Sequence, residues 1–153
     1  MPLSGVTIRE MVESDLPMVA ALEGEEEVGG WTPAQLAAEF ARPGGWRLVA
    51  LDSISGQVIS YIIGGQVLDE AEIFRLRVAR DHRRRGVAAA LLARLDHLLL
   101  SRGAGRCFLE VRAGNHAALA LYEKAGFARR GLRRNYYRDP ADDAVIMGKT
   151  LSE

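Results

Sequence analysis

The hydrophobic period of this chain changes at Gly86. Before it, Glu72 to Val78 reads as a strand that mixes apolar and arginine positions. After it, Val87, Leu91, Leu95, Leu98 and Leu99 fall on one face of a long helix. Gly103 and Gly105 stop that helix. Arg106 to Val111 is again a strand, with Cys107, Leu109 and Val111 on one side and Phe108, Glu110 and Arg112 on the other. Strand, long helix and strand in succession call for a mixed α/β arrangement, with a sheet and helices packed on it.

The flanks fit that frame. Val6 to Arg9 alternates and reads as a first strand, and Ser14 or Asp15 can cap a short helix through Met18, Ala21 and Leu22. The acidic stretch Glu23 to Glu27, closed by Gly29-Gly30, reads as a loop. Thr32, Pro33 and Gln35 supply an N-cap, a first helical proline and a capping box. Strands follow at Trp46 to Leu51 and Gln57 to Val67. Gly64-Gly65 inside the second predicts a bulge or a close backbone approach. Leu68 to Glu70 reads as a polar connection. Asn115 caps a helix that Gly126 ends. Phe127 to Leu132 and Ala144 to Lys149 are the last strands. The order is β-α-α-β-β-β-α-β-α-β-β. At 153 residues the expectation is one domain over 1–153.

Composition narrows the function. The longest wholly apolar run, Val87 to Ala93, is far short of the roughly 20 residues a membrane helix needs, so no membrane partner is expected. The start has no basic n-region or apolar h-region, so no secretory signal is expected. One cysteine, Cys107, suits a reducing cytoplasm. It alternates away from Glu110 and reads as a small core residue. Lys+Arg and Asp+Glu are both 20, so a bulk nucleic-acid binder is not expected. The basic residues are nearly all arginine, however, and they cluster. Six lie between Arg75 and Arg85 against one acid, Asp81, and five more lie between Arg129 and Arg138.

The first cluster contains Arg83-Arg84-Arg85-Gly86-Val87-Ala88, between a strand and a helix start. A helix N-terminus offers free N–H groups and a positive dipole end, and the arginines add charge-assisted donors. Gly86 and Ala88 keep bulk away from an approaching pyrophosphate. No Gly-Lys-Ser/Thr follows and three spaced glycines are missing, so this is neither a Walker loop nor a dinucleotide fingerprint. Taken alone, the segment also fits a basic cap on a solvated turn. His82, His97 and His116 have no metal-ligand spacing, and no metal is expected.

The pattern Arg-x-x-Gly-x-Ala at Arg83 to Ala88 resembles the acetyl-CoA pyrophosphate loop of the GNAT N-acetyltransferases. The segment Asn115 to Phe127 resembles the family's second signature, Asn-x-x-Ala-x-x-x-Tyr-x-x-x-Gly-Phe. Ala88 replaces the commoner final glycine. Leu109 to Arg112, Arg133 to Tyr137, Asp143 to Met147, Val67 to Ala71 and Trp31-Thr32 are similar to the bacterial RimI group of that family.

The resemblance implies a single GNAT-like α/β domain with a central, mostly antiparallel sheet and helices on both faces. It implies acetyl-CoA as co-substrate, bound by Leu76, Arg77, Val78, Arg83, Arg84, Arg85, Gly86, Val87, Ala88, Ala89 and Asn115. The arm of the cofactor would lie between the strand ending at Val78 and the strand holding Glu110. The acceptor implied is the N-terminal α-amine of a protein, the alanine of a small-subunit ribosomal protein.

Glu110 is the candidate base, because a lone carboxylate in the apolar run Cys107 to Val111 would have its pKa raised by burial. A structural salt bridge to Arg112 or another arginine is the alternative. The resemblance implies a backbone donor to the thioester carbonyl from the strand before the loop, and Val78 N–H is the candidate. Tyr122 is the candidate acid, against a plain core tyrosine. Tyr136 and Tyr137 fit either a peptide groove or strand packing. Arg75 and Arg77 stand where RimI-like chains carry small or neutral residues, so peptide preference is open. The acids at Glu23 to Glu27 fit either attraction of a basic peptide or a solvated loop. The competing functions are acetylation of lysine, a polyamine or another small amine, an RNA-binding module, and an acyl-CoA sensor.

Overall fold

A computed structural model describes residues 3–25 and 29–152. Its elements follow the expected order: β1 (Val6–Glu10), α1 (Leu16–Glu23), α2 (Pro33–Phe40), β2 (Gly45–Asp52), β3 (Val58–Val67), β4 (Glu70–Val78), α3 (Val87–Ser101), β5 (Arg106–Arg112), α4 (His116–Lys124), β6 (Ala128–Arg138) and β7 (Ala141–Thr150). The strands form one sheet in the order β1-β2-β3-β4-β5-β7-β6. Among the described residues β4 and β5 pair in parallel and the other neighbours are antiparallel. Helix α3 is the crossover that makes the parallel pair possible.

The sheet has helices on both faces, as the alternation of its strands requires. On one face Leu91, Leu95 and Leu99 of α3 and Leu119 of α4 pack with Ile62, Cys107 and Met147. On the other, Val19 and Leu22 of α1 and Leu36 of α2 pack with Val49, Tyr61 and Ile63. The buried stripe of α3 differs slightly from the expected one. Leu92 is buried and Leu98 is only half-buried, so the contact face is wider on the α3 side that carries Leu92.

Local signals explain the helix ends. Thr32 Oγ1 accepts from Gln35 N–H at 3.1 Å, and Thr32 N–H donates to Gln35 Oε1 at 2.8 Å. Asn115 Oδ1 accepts from Ala118 N–H at 3.1 Å. Asp15 does not cap α1. Its carboxylate accepts from Val12 N–H and from Arg9, closing the turn before the helix.

Two readings need correction. Glu23 is not part of a solvated loop: it ends α1, on the face of Val19 and Leu22, and is 2% exposed. Glu26 and Glu27 lie outside the described residues. Strand β6 runs on to Arg138, six residues past Leu132, so Tyr136 and Tyr137 belong to the β6–β7 hairpin.

Gly64 shapes the middle of the sheet. The β3–β4 register shifts there, with Ile63 opposite Arg75 and Gly64 opposite Ile73, leaving Phe74 as the extra residue. A Cβ on Gly64 would stand 2.0 Å from Glu72 O and 2.3 Å from the buried Trp46 ring. Gly64→Ala is therefore expected to destabilise the fold by about 1–3 kcal/mol. A thermal melt would show Tm lower by roughly 3–10 °C; an unchanged Tm would mean the bulge relaxes freely.

Candidate active site

The bulge at Phe74 reverses the alternation of β4. Ala71 and Ile73 face α3 before it, and Leu76 and Val78 face that side after it. Arg75 and Arg77 sit opposite Ile63 and Tyr61, on the α1 and α2 side. The pairing of β4 with β5 runs from Glu70 and Arg106 to Ile73 and Leu109 and then stops. Past that point the strands bound a cleft of about 650 Å³.

Main-chain groups are exposed by this splay. Ala79 N–H donates to Ile59 O at 2.7 Å, which fixes the phase of the β3–β4 ladder. Val78 opposite Ser60 and Leu76 opposite Ile62 are then non-hydrogen-bonded pairs. Their N–H and C=O groups turn away from β3, toward the open side. Arg83 Nε takes up Val78 O at 3.2 Å. Arg77 differs: its carbonyl accepts from Ser60 Oγ at 2.6 Å, and the residue lines the cleft.

Segment 83–89 lies at the start of α3. Arg84 and Gly86 have positive φ, 64° and 83°. The first intrahelical bond is Ala90 N–H to Gly86 O, so the amides of Val87, Ala88 and Ala89 have no helical acceptor. A Cβ on Gly86 would meet only Leu3, at 4.0 Å, so the left-handed backbone is what calls for glycine. Gly86→Asp adds a negative charge beside these amides as well as backbone strain. An anion approaching this turn would then meet a carboxylate, so at least about tenfold weaker binding of a pyrophosphate group is expected. Calorimetry giving equal affinity would contradict an anion site here.

The arginine cluster does not act as one unit. Arg75 is bound to Glu23, and Arg80 donates from its main chain and side chain to Glu25. These two contacts turn Arg75 and Arg80 to carboxylates and carbonyls of the α1 end, away from the turn before α3. Arg83, Arg84 and Arg85 stay exposed at the loop.

The cleft brings together Leu76, Arg77, Glu110, Asn115 and Tyr122. Val78 and residues 83–89 do not line it; Val78 directly follows Arg77, which does, and Arg83 is held to Val78 O. Glu110 is not a lone carboxylate in apolar surroundings, because its side chain is 25% exposed and Arg133 Nε lies 3.0 Å away. The strand alternation turns it off the core, and β6 supplies the arginine. Tyr122 is buried, with its ring edge-on to Phe127 at 5.6 Å between centroids. Burial pushes its phenol up, so it stays protonated.

Tyr136 and Tyr137 also line the cleft, which sequence left open. Arg112 lies 4.2 Å from the Tyr137 ring centroid, and burial together with Glu110 raises that phenol. Cys107 is buried on the opposite face, its thiol pushed up to about 12 by burial. His97 and His116 are exposed and His82 half-buried. Among the described residues no three His, Cys, Asp or Glu side chains group as metal ligands.

Residues 14–127 match the Acetyltransferase (GNAT) family. The chain belongs to that family. It is 37% identical to the ribosomal protein bS18-alanine N-acetyltransferase of Escherichia coli, over 95% of this chain and 98% of that one. It is also 37% identical to the N-alpha-acetyltransferase RimI of Mycobacterium tuberculosis, over 93% and 90%. The crystal structure of the Escherichia coli ribosomal-protein-S18-alanine enzyme superposes with a TM-score of 0.88, at 35% identity over 97% of this chain and 95% of that one. As a GNAT enzyme the chain is an acetyl-CoA-dependent N-acetyltransferase.

Sequence reasoning misses Glu23, which reaches the cleft through Arg75; the signal is that it continues the Val19 and Leu22 face at helical spacing.

Proposed function

We propose that this enzyme acetylates the N-terminal alanine of small-subunit ribosomal protein bS18, in the cytoplasm. The observation that carries the reading is the meeting of Glu110 and Tyr122 in one cleft, beside strand amides that β3 does not use. The relatives named for bS18 alanine match nearly end to end, which supports the acceptor.

The chain's own groups fit acetyl-CoA. The amides of Val87, Ala88 and Ala89, with Arg83, Arg84 and Arg85, suit its pyrophosphate. Leu76 and Val78 offer main-chain groups to its arm, and Asn115 keeps an amide NH₂ after capping α4. Acetyl-CoA supplies an acetyl group activated as a thioester.

The residues divide the remaining work. An α-amine has a pKa of about 7.7–8.0, so near neutral pH a modest base suffices. Glu110 accepts its proton, directly or through one water. Arg133 holds the Glu110 carboxylate in place. Val78 N–H donates to the carbonyl oxygen on which charge develops. The neutral nitrogen then attacks the thioester carbon; as the C–S bond breaks, Tyr122 gives its phenolic proton to the departing sulfur, and the second proton of the nitrogen is passed on to restore the phenol. Tyr136 and Tyr137 flank the acceptor chain.

An acetylation assay tests the acceptor class. Wild-type enzyme is expected to turn over a peptide that begins with a free alanine. It should fail on spermidine and on the same peptide with a blocked N-terminus. Comparable kcat/KM on spermidine would replace the protein acceptor with a polyamine.

A further inference from the structure

A buried ion pair beside the cleft has no part in the chemistry above. Glu23 Oε1 accepts from Arg75 Nη2 at 2.6 Å and from Trp31 N–H at 2.8 Å. Its Oε2 accepts from Tyr61 Oη at 2.5 Å and from Arg75 Nε at 3.1 Å. The two side chains are 1% and 22% exposed. Burial pushes the Glu23 carboxyl up, but the bonds from Arg75, Tyr61 and Trp31 outweigh it and hold it below its ordinary value. It is therefore ionised, and its acceptor sites are filled.

Arg75 reaches further. Its Nη2 lies 3.4 Å from Gly29 O, and its guanidinium carbon is 5.6 Å from the Trp31 ring centroid. Gly29, Trp31 and Arg75 all line the cleft. Thus the floor strand β4, the end of α1 and the wall at residues 29–31 meet at one guanidinium. A neutralised, buried pair adds little stability compared with apolar packing; where it is retained, its best use is to select one arrangement.

We propose that Arg75, seated on Glu23, is a positioning residue that sets acceptor specificity. It holds Gly29 and Trp31 as a fixed wall, and that wall limits the first side chain of the acceptor. This rests on the protein N-terminus being the acceptor.

The test uses three peptides that begin with alanine, valine or leucine, with separate KM values for peptide and acetyl-CoA. Arg75→Lys keeps the charge on Glu23 and loses the planar fork that reaches Gly29 and Trp31. Arg75→Met removes both. In Arg75→Met the peptide KM should rise about tenfold, and the alanine-over-leucine ratio of kcat/KM should fall about tenfold. The acetyl-CoA KM should stay within about twofold. Arg75→Lys should lie between wild type and Arg75→Met, and it carries the test alone if Arg75→Met does not fold. An unchanged alanine-over-leucine ratio in the folded variants would overturn the proposal, as would equal rises in both KM values. Wild-type enzyme that acetylates no free N-terminus would instead remove the acceptor reading beneath it.

Discussion

Glu110→Gln is expected to lower kcat on an alanine-first peptide by about 10²–10⁴-fold, the usual worth of a positioned general base. Glutamine keeps the size of the side chain and one acceptor oxygen, but it cannot take a proton. The acetyl-CoA KM should hardly move, since Glu110 stands off the α3 loop. The ion pair to Arg133 is lost as well. At this exposure such a pair is worth at most about 1 kcal/mol, so the fold should survive. The defect should shrink as pH rises past about 8, where most of the α-amine is already neutral and its first proton no longer has to be removed by the enzyme. Steady-state kinetics near pH 7 and pH 9 read both effects. Unaltered turnover near pH 7 would remove Glu110 from the reaction.

Tyr122→Phe is the second large effect. It deletes one hydroxyl and leaves the ring against Phe127. Burial raises the phenol, so the proton is present across the working pH range. Losing it should slow kcat by about 10²-fold or more, the lower end for a general acid. Melting should show little change, because the packing remains. A wild-type rate would leave Tyr122 as a core tyrosine only.

Much of the site was legible because its residues obey short-range rules. Gly86 is needed where the chain must take a left-handed turn into α3, and Asn115 where α4 needs a cap. Gly64-Gly65 announced a bulge, and the structure gives it a use: the register shift that leaves Phe74 unpaired precedes the splay. What stayed hidden depends on contacts distant in sequence. Glu23 and Arg75 are 52 residues apart, and each alone looks like a surface charge. Arg133 reaches Glu110 across β7, so a carboxylate that looked isolated along β5 is paired in space. Strand β6 is an edge strand, exposed from Ala128 through Tyr136, with no buried face to impose alternation. Its arginines gave no period to read.

The central claim is transfer to an α-amine. The most direct measurement offers one peptide with a free N-terminal alanine and an internal lysine to the enzyme and acetyl-CoA. Tandem mass spectrometry then locates the added acetyl group. The account predicts it on the alanine nitrogen, at a rate that Glu110→Gln lowers by about 10²–10⁴-fold near pH 7. Acetyl on the lysine side chain with a free alanine would contradict it.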